Sequence, residues 1–266
     1  MTQIGWLKRD GLRLAIHGQG TDGRPLVFQH GLCGSAAQVA EAMAGIAPQR
    51  WQSLECRGHG ASEAGEWLSI ATFAEDVAAL VETIGAPVVL GGISMGAAIA
   101  TRIAVTRPDL VSALILVRPA WVAAMAPDTM RPNAEVGRLL EDLPADQARR
   151  AFAASNTALR LGRDAPDNLS SLTGFFDRQP LDLTARLLRR ISADGPGISE
   201  ADLRAIRLPV LVCGTAEDAI HPFALARDLA ALIPGARLAE LPPKGRDKPA
   251  HLSALSVAMA QFLEEI

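Results

Sequence analysis

The chain has 266 residues, of which 49% are hydrophobic and 21% charged, and its formal net charge is −3. This size and composition fit one large α/β domain, or a core domain with a small insertion. The small negative charge gives no reason to expect binding to nucleic acid or to an anionic membrane.

The three cysteines form no C-x-x-C pair. They predict a reducing, cytoplasmic location, with neither a disulfide framework nor a zinc site. The first ten residues contain no apolar stretch after their charges, which argues against a signal peptide. One uncharged run ends at Arg102, but it contains a proline and several glycines, so we expect no membrane-spanning helix.

Short apolar runs alternate with stretches of helical periodicity along most of the chain. The predicted strands are 12–17, 25–29, 51–56, a run that begins at 88, 111–117, 210–214 and 236–241. The predicted helices are 36–44, 70–83, a helix ending near 107, 222–233 and 249–266. This alternation predicts a mostly parallel sheet with helices on both faces.

The pattern changes between residues 119 and 206, where the periodicity is helical throughout and prolines break it into short segments. We expect an all-helical insertion, a cap, over 119–206. The core domain then consists of residues 1–118 and 207–266.

The motif G-x-S-x-G occurs once in the context that gives it meaning, at Gly92-Ile93-Ser94-Met95-Gly96. A buried-strand pattern precedes it and an alanine-rich helical pattern follows it. At such a strand–turn–helix junction the serine is forced into a strained backbone conformation that exposes its hydroxyl at the edge of the sheet. The sequence therefore predicts Ser94 as a nucleophile.

Three further motifs follow predicted strands, in an order that is typical of a known family. They are His30-Gly31, Arg57-Gly58-His59-Gly60-Ala61-Ser62 and Gly214-Thr215-Ala216-Glu217-Asp218-Ala219-Ile220-His221-Pro222. The serine motif is the fourth. On these four motifs the chain resembles the α/β-hydrolases over nearly its whole length. The helical insertion lies where that family carries its cap. The resemblance implies that the nucleophile is followed in the chain by an acid and then by a histidine.

Five histidines compete for the role of the general base. His17, His30 and His59 are expected to be structural, and His221 stands only three residues after the expected acid, too near to face the serine while that acid supports it. His251 comes after the last predicted strand, where the family places its base, and we predict it as the base.

In many family members the histidine directly follows a glycine after the last strand. Here that slot reads Lys244-Gly245-Arg246, five residues before His251. We expect a rearranged loop that delivers His251. The alternative is that Arg246 marks a lost base, in which case the protein is no triad hydrolase.

Asp218 holds the family's usual acid position after the strand 210–214, and Glu217 is the alternative. The oxyanion hole requires backbone N–H donors. The resemblance implies Met95, the residue after the nucleophile, and Leu32 in the loop after His30, with Cys33 as its alternative.

The pocket is expected between the carboxyl edge of the sheet and the cap. Arg118 directly follows the strand 111–117, where it would anchor a substrate carboxylate or pair with an acid of the cap. Cys33 is a further candidate for substrate contact. The apolar candidates for the pocket lining are Trp121, Met125, Phe152, Phe175 and Phe176.

These features predict a serine hydrolase of a small ester, lactone or related acyl compound, with no cofactor and no metal. Carbon–carbon bond or enol-lactone hydrolysis by the same triad remains open. An acyltransferase or perhydrolase, or a non-catalytic receptor of small molecules on the same fold, also remains open. The only partner expected is a small-molecule substrate, and the protein is expected to be a monomer or a homodimer.

Overall fold

The computed structural model describes residues 2–20, 22–46 and 50–266. Within them the chain forms one sheet of eight strands. The strands are β1 (Thr2–Arg9), β2 (Leu12–Gln19), β3 (Leu26–Gln29), β4 (Trp51–Leu54), β5 (Val88–Ile93), β6 (Val111–Val117), β7 (Val210–Thr215) and β8 (Arg237–Leu241).

The strand order across the sheet is β1-β2-β4-β3-β5-β6-β7-β8. The pairs β1–β2 and β2–β4 are antiparallel, and every other neighbouring pair is parallel. The predicted fold class, a mostly parallel sheet with helices, is confirmed.

The α-helices cover both faces of this sheet and fill the long segment between β6 and β7. They are α1 (Ala36–Met43), α2 (Ile70–Ile84), α3 (Met95–Thr106), α4 (Arg131–Asp142), α5 (Ala145–Ala153), α6 (Asn156–Asp164), α7 (Pro166–Gly174), α8 (Leu181–Ser192), α9 (Glu200–Ala205), α10 (Phe223–Leu232) and α11 (Lys248–Glu265). Among the described residues, no helix combines the length and the apolar character that crossing a membrane requires.

The sequence pattern missed β1. This strand pairs with β2 over most of its length at the outer edge of the sheet. Its side chains are largely exposed or half-buried. A strand that buries so little apolar surface has only a weak alternation of apolar and polar residues, so the pattern did not reveal it.

The central strands are buried on both faces, as parallel strands covered by helices must be. Val89, Ile115 and Leu211 pack toward α1 and α11 on one face. Leu90 and Leu114 pack toward α2 and α3 on the other. The near-continuous apolar runs of these strands in the sequence follow from this double burial.

Between β6 and β7 residues 118–209 form helices and loops without a strand. The helices α4 to α8 enclose a small apolar core of their own, which includes Val136, Phe152, Leu161, Leu172 and Leu188. This agrees in character with the expected cap, while the domain boundaries at 118/119 and 206/207 stay a prediction.

The order of the strands brings four loops together. The strands β3, β5, β6 and β7 are parallel and adjacent, so their carboxyl ends meet at one edge of the sheet. The residues that follow them are His30, Ser94, Arg118 and the loop 216–222. Open parallel sheets bind their ligands at this edge.

Candidate active site

Ser94 sits at the junction between β5 and α3 with φ of 56° and ψ of −110°. A non-glycine residue with positive φ is strained and must be held by its surroundings. A Cβ on Gly92 would run into the backbone of Gly96, and a Cβ on Gly96 would run into the backbone of Gln29. The two glycines therefore let strand and helix approach closely enough to hold the serine in this conformation.

The histidine that contacts Ser94 is His221. Its Nε2 lies 2.8 Å from Oγ of Ser94. On the other side of the ring, Nδ1 lies 3.0 Å from Oδ2 and 3.1 Å from Oδ1 of Asp218. Serine, histidine and aspartate therefore form one continuous hydrogen-bonded chain.

The prediction that His251 reaches Ser94 is wrong. His251 lies in the first turn of α11, where it is 3% exposed, and its Nδ1 contacts the carbonyl oxygen of Pro242 at 2.9 Å. His251 instead ties the start of α11 to the end of β8.

The objection that His221 stands too close to Asp218 fails for a structural reason. The carboxylate of Asp218 accepts the backbone N–H groups of Ile220 and His221 at 3.1 and 2.9 Å, which folds the loop back and lays the imidazole beside the acid.

Asp218 is buried, and each of its oxygens has fixed partners. Oδ2 accepts two hydrogen bonds from Arg118, one from Nε at 2.9 Å and one from Nη2. Oδ1 accepts Nδ2 of Asn168 at 3.0 Å. Burial raises the pKa of Asp218, but His221 and the Arg118 guanidinium outweigh it and hold the pKa well below its usual range. The carboxylate therefore stays ionised as a hydrogen-bond acceptor.

The same environment favours the neutral form of His221. Burial lowers its pKa, and Arg118 adds to this effect, while the neighbouring Asp218 opposes it. Since the ionised carboxylate can only accept, Nδ1 carries the proton of the neutral ring. The 3.4 Å approach of Arg118 Nη2 to Nδ1 is longer than either contact to Asp218 and does not change this assignment. Nε2 is left free to accept the proton of Ser94.

The backbone N–H groups of Met95, Leu32 and Cys33, which were the expected oxyanion donors, differ in whether they already have an acceptor. Met95 opens α3, so its N–H lacks an acceptor within the helix. The N–H of Leu32 donates to no acceptor within the described part of the chain. The N–H of Cys33 donates to Nε2 of His59 at 3.0 Å, which excludes it as the alternative donor.

Arg118 does not pair with an acid of the expected cap. Its partner is Asp218, on the loop after β7. The positive φ of Arg118, 46°, shows that the backbone turns sharply at the end of β6. Glu217, the alternative acid, instead pairs with Arg246, whose Nε lies 2.7 Å from its carboxylate at the surface.

A cavity of about 130 Å³ opens beside the serine and the histidine. Arg118 and Phe175 line it as expected. Trp121 is absent from its lining and donates its indole N–H to the carbonyl oxygen of Asp194. The other residues that line it are Gly31, Leu32, Gln38, Ile93, Ser94, Met130, Asn133, Asn168, Ser171, Leu172, Ile220, His221 and Lys244.

The remaining candidates for the pocket lie elsewhere. Phe152 and Phe176 are buried among the helices between β6 and β7, and Met125 is exposed. Cys33 faces a separate surface groove, and burial raises the pKa of its thiol to about 12.

The sequence pattern missed Asn133, Asn168 and Lys244. Oδ1 of Asn133 is buried without a hydrogen-bond partner among the described residues. An asparagine in a helical segment belongs to no motif and to no periodic pattern. The only sequence signal for such a residue is its polar side chain within an otherwise amphipathic helix.

The sequence model of a family described by the α/β hydrolase fold matches residues 24–247. A proposed non-heme bromoperoxidase of Mycobacterium tuberculosis, BpoC, is 29% identical over 96% of this chain and 99% of its own. Its crystal structure has a TM-score of 0.69 to this chain.

Two other proteins are also similar to this chain. A proposed carbamate hydrolase of Klebsiella pneumoniae, RutD, is 30% identical over 65% of each chain. The structure of the enol-lactonase from Burkholderia xenovorans covers 97% of this chain and 99% of its own with a TM-score of 0.70. At 22% identity this last likeness concerns the fold alone.

Proposed function

The chain belongs to the α/β hydrolase fold family, and from this we propose that it is a serine hydrolase of small esters, lactones or related acyl compounds. The observation that carries the proposal is the 2.8 Å contact between Nε2 of His221 and Oγ of Ser94, with Asp218 bound to Nδ1 behind it. Such a chain of contacts is the geometry by which a base activates a serine.

In the first half of the proposed reaction, Oγ of Ser94 attacks the carbonyl carbon and its proton passes to Nε2 of His221. The N–H groups of Leu32 and Met95 hold the oxyanion. When the intermediate collapses, the bond to the leaving oxygen breaks, and that oxygen takes the proton from Nε2. An acyl-enzyme on Ser94 remains.

In the second half, a water molecule gives its proton to His221 as it attacks the acyl carbon. The ester bond to Ser94 breaks, the acid is released and Oγ regains its proton. Asp218 remains ionised throughout and stabilises the imidazolium. Its pKa, which Arg118 and His221 hold far below its usual range, suits this role.

The cavity supports a small substrate. Its volume of about 130 Å³ is similar to the roughly 150 Å³ of an engineered cavity that holds benzene. Apolar side chains such as Leu32, Leu172 and Phe175 lie in its lining beside polar ones such as Asn133 and Lys244. We therefore expect a short acyl compound with a polar substituent.

A fluorophosphonate probe tests the proposal without knowledge of the substrate. The wild-type protein is expected to be labelled on Ser94 and to hydrolyse p-nitrophenyl acetate, and Ser94→Ala is expected to do neither. The proposal fails if the folded wild type is not labelled, or if Ser94→Ala is labelled at the same rate. A non-catalytic receptor would bind ligand without turnover.

Perhydrolysis is the second candidate, favoured by the relative that bears a bromoperoxidase name and is 29% identical over 96% of this chain. Here hydrogen peroxide, rather than water, attacks the acyl-enzyme and a peracid is released. Peracid formation from peroxide and a short ester would favour this candidate. Formation of the free acid alone would exclude it.

A further inference from the structure

The first turn of α7 touches the loop that carries both the acid and the base. Asn168 is 4% exposed, and both ends of its amide are used. Nδ2 donates to Oδ1 of Asp218 at 3.0 Å, and Oδ1 accepts the backbone N–H of Ala219 at 2.7 Å. Asn168 thus binds both the carboxylate of Asp218 and the backbone of the next residue, Ala219. Since a carboxylate offers only acceptors and an N–H only a donor, the orientation of the amide is fixed.

Two side chains from different elements contact different oxygens of the Asp218 carboxylate. Arg118, which follows β6, binds Oδ2, while Asn168, on α7, binds Oδ1. His221 lies within 3.1 Å of both oxygens, so the plane of the carboxylate sets where the imidazole points. A rotation of the carboxylate would carry Nε2 away from Ser94.

The neighbouring residue Asp167 makes a different contact. Its carboxylate lies 3.3 Å from Nζ of Lys244, on the loop after β8, and both side chains are partly exposed, at 29% and 26%. A partly exposed ion pair of this kind adds only modestly to stability. Asp167 therefore provides a matched control, because it links the same turn of α7 to the core without touching the acid.

We propose that Asn168 is a positioning residue through which the helical segment between β6 and β7 holds the Asp218–His221 pair in line with Ser94. The inference rests on the proposed function. The base stands three residues after the acid on one short loop, so a single clamp on Asp218 and Ala219 orients both groups. The same helix lines the cavity with Ser171 and Leu172. The same helix thus lines the cavity and binds the loop that carries the acid.

The test compares Asn168→Ala, Asn168→Asp and Asp167→Ala. Asn168→Ala loses both hydrogen bonds, and we expect kcat for p-nitrophenyl acetate to fall about 10- to 100-fold, because a misplaced catalytic group costs rate rather than binding. KM should change less than about 3-fold, since the lost contacts are not made to the substrate. Asp167→Ala should leave kcat within about 3-fold of wild type, since Asp167 pairs with Lys244 and makes no hydrogen bond to Asp218 or Ala219.

Asn168→Asp supplies a second variant that removes the donor to Asp218 and also changes the charge beside His221. It keeps an acceptor for the N–H of Ala219 but sets a second carboxylate beside Asp218. The charged groups around His221 are Asp218, Arg118 and Lys244. An added negative charge stabilises the imidazolium, so the acid limb of kcat/KM should move to higher pH.

Several outcomes decide the matter. If the wild type is labelled by fluorophosphonate and turns over, while Asn168→Ala matches it in kcat, the inference fails and the proposed function stands. Equal losses in Asn168→Ala and Asp167→Ala would also overturn it, because the effect would then come from docking of α7 in general. If Asn168→Ala does not fold, Asn168→Asp decides through kcat measured above the acid limb: it lacks the N–H that Asn168 donates to Oδ1 of Asp218, so a kcat equal to that of the wild type overturns the inference. An unlabelled wild type would instead refute the proposed function.

Discussion

Two loops follow neighbouring strands at the same edge of the sheet, and they differ in what they present to Ser94. The loop after β7 carries Asp218 and, three residues later, His221, which contacts the serine. The loop after β8 carries Arg246 in the slot where the family usually has its histidine. Arg246 points outward, with its side chain 73% exposed and paired with Glu217.

The internal hydrogen bonds of the two loops explain the difference. In the first loop, the carboxylate of Asp218 caps the N–H groups of Ile220 and His221, which forms a tight turn. In the second loop, Asp247 caps α11 by accepting the N–H of Ala250 at 2.9 Å. The first arrangement orients a side chain toward the serine, and the second starts a helix. In the proposed triad the base therefore lies on the same loop as the acid, while the loop after β8 begins α11.

The largest expected change in kcat comes from replacing the two histidines one at a time. His221→Ala should lower kcat by about 10⁴-fold or more, as removal of a triad base does in serine hydrolases. His251→Asn keeps a donor for the carbonyl oxygen of Pro242 and should cost less than about 10-fold. Both rates are measured with p-nitrophenyl acetate. A larger loss in His251→Asn than in His221→Ala would reverse the assignment of the loops.

The next test removes the charge of the acid. Asp218→Asn should lower kcat by about 10³- to 10⁴-fold, because an amide no longer fixes the tautomer of His221 or stabilises its charged form. Glu217→Gln is its matched control one residue away. It should leave kcat within about 3-fold, since it breaks only an exposed pair. Melting curves of both variants should accompany the rates, because Asp218→Asn also leaves Arg118 as a buried cation without its partner.

The pH profile gives a smaller effect with a definite sign. His221 must be neutral to accept a proton, and burial lowers its pKa below the ordinary value of about 6.5. Activity should therefore persist below pH 6.5 and fall only as the pH drops through this lowered pKa. Arg118→Gln removes a positive charge that also lowers this pKa, so the acid limb of kcat/KM should move to higher pH. A limb that moves to lower pH would contradict this role of Arg118.

The smallest expected effect comes from the usual base slot. Arg246→His restores a histidine there, but its position at the surface predicts a change in kcat of less than about 3-fold, as for other exposed substitutions. The combination with His221→Ala should stay inactive. Recovery of activity in that double variant would show that the loop after β8 can still deliver a base.

Much of the fold could be predicted from the sequence, because its signals are local. The strand predicted at 111–117 agrees with β6 at both ends, and the predicted helix at 36–44 agrees with α1 to within one residue. Periodicity encodes these elements wherever one face or both faces are buried. The strand β1 was not predicted, because it is exposed at the edge of the sheet.

In the candidate site, too, the residue with a local sequence signal was predicted and the residue without one was not. Two glycines and a strand–helix junction locate Ser94, since the steric requirement acts among residues within a few positions of the serine. The contact between His221 and Ser94 joins residues 127 positions apart, and the direction of an imidazole ring across such a distance leaves no trace in spacing. For this reason counting positions favoured His251.

The sequence alone determined the family resemblance, the alternation of strands and helices and the position of the strained serine, because each follows from local sterics or from burial periodicity. Only the tertiary structure decided which histidine contacts Ser94, that Arg118 binds the acid and that Asn168 reaches it from α7. These depend on how the loops fold and how the helical segment packs over them. Adjacent residues do not specify such contacts.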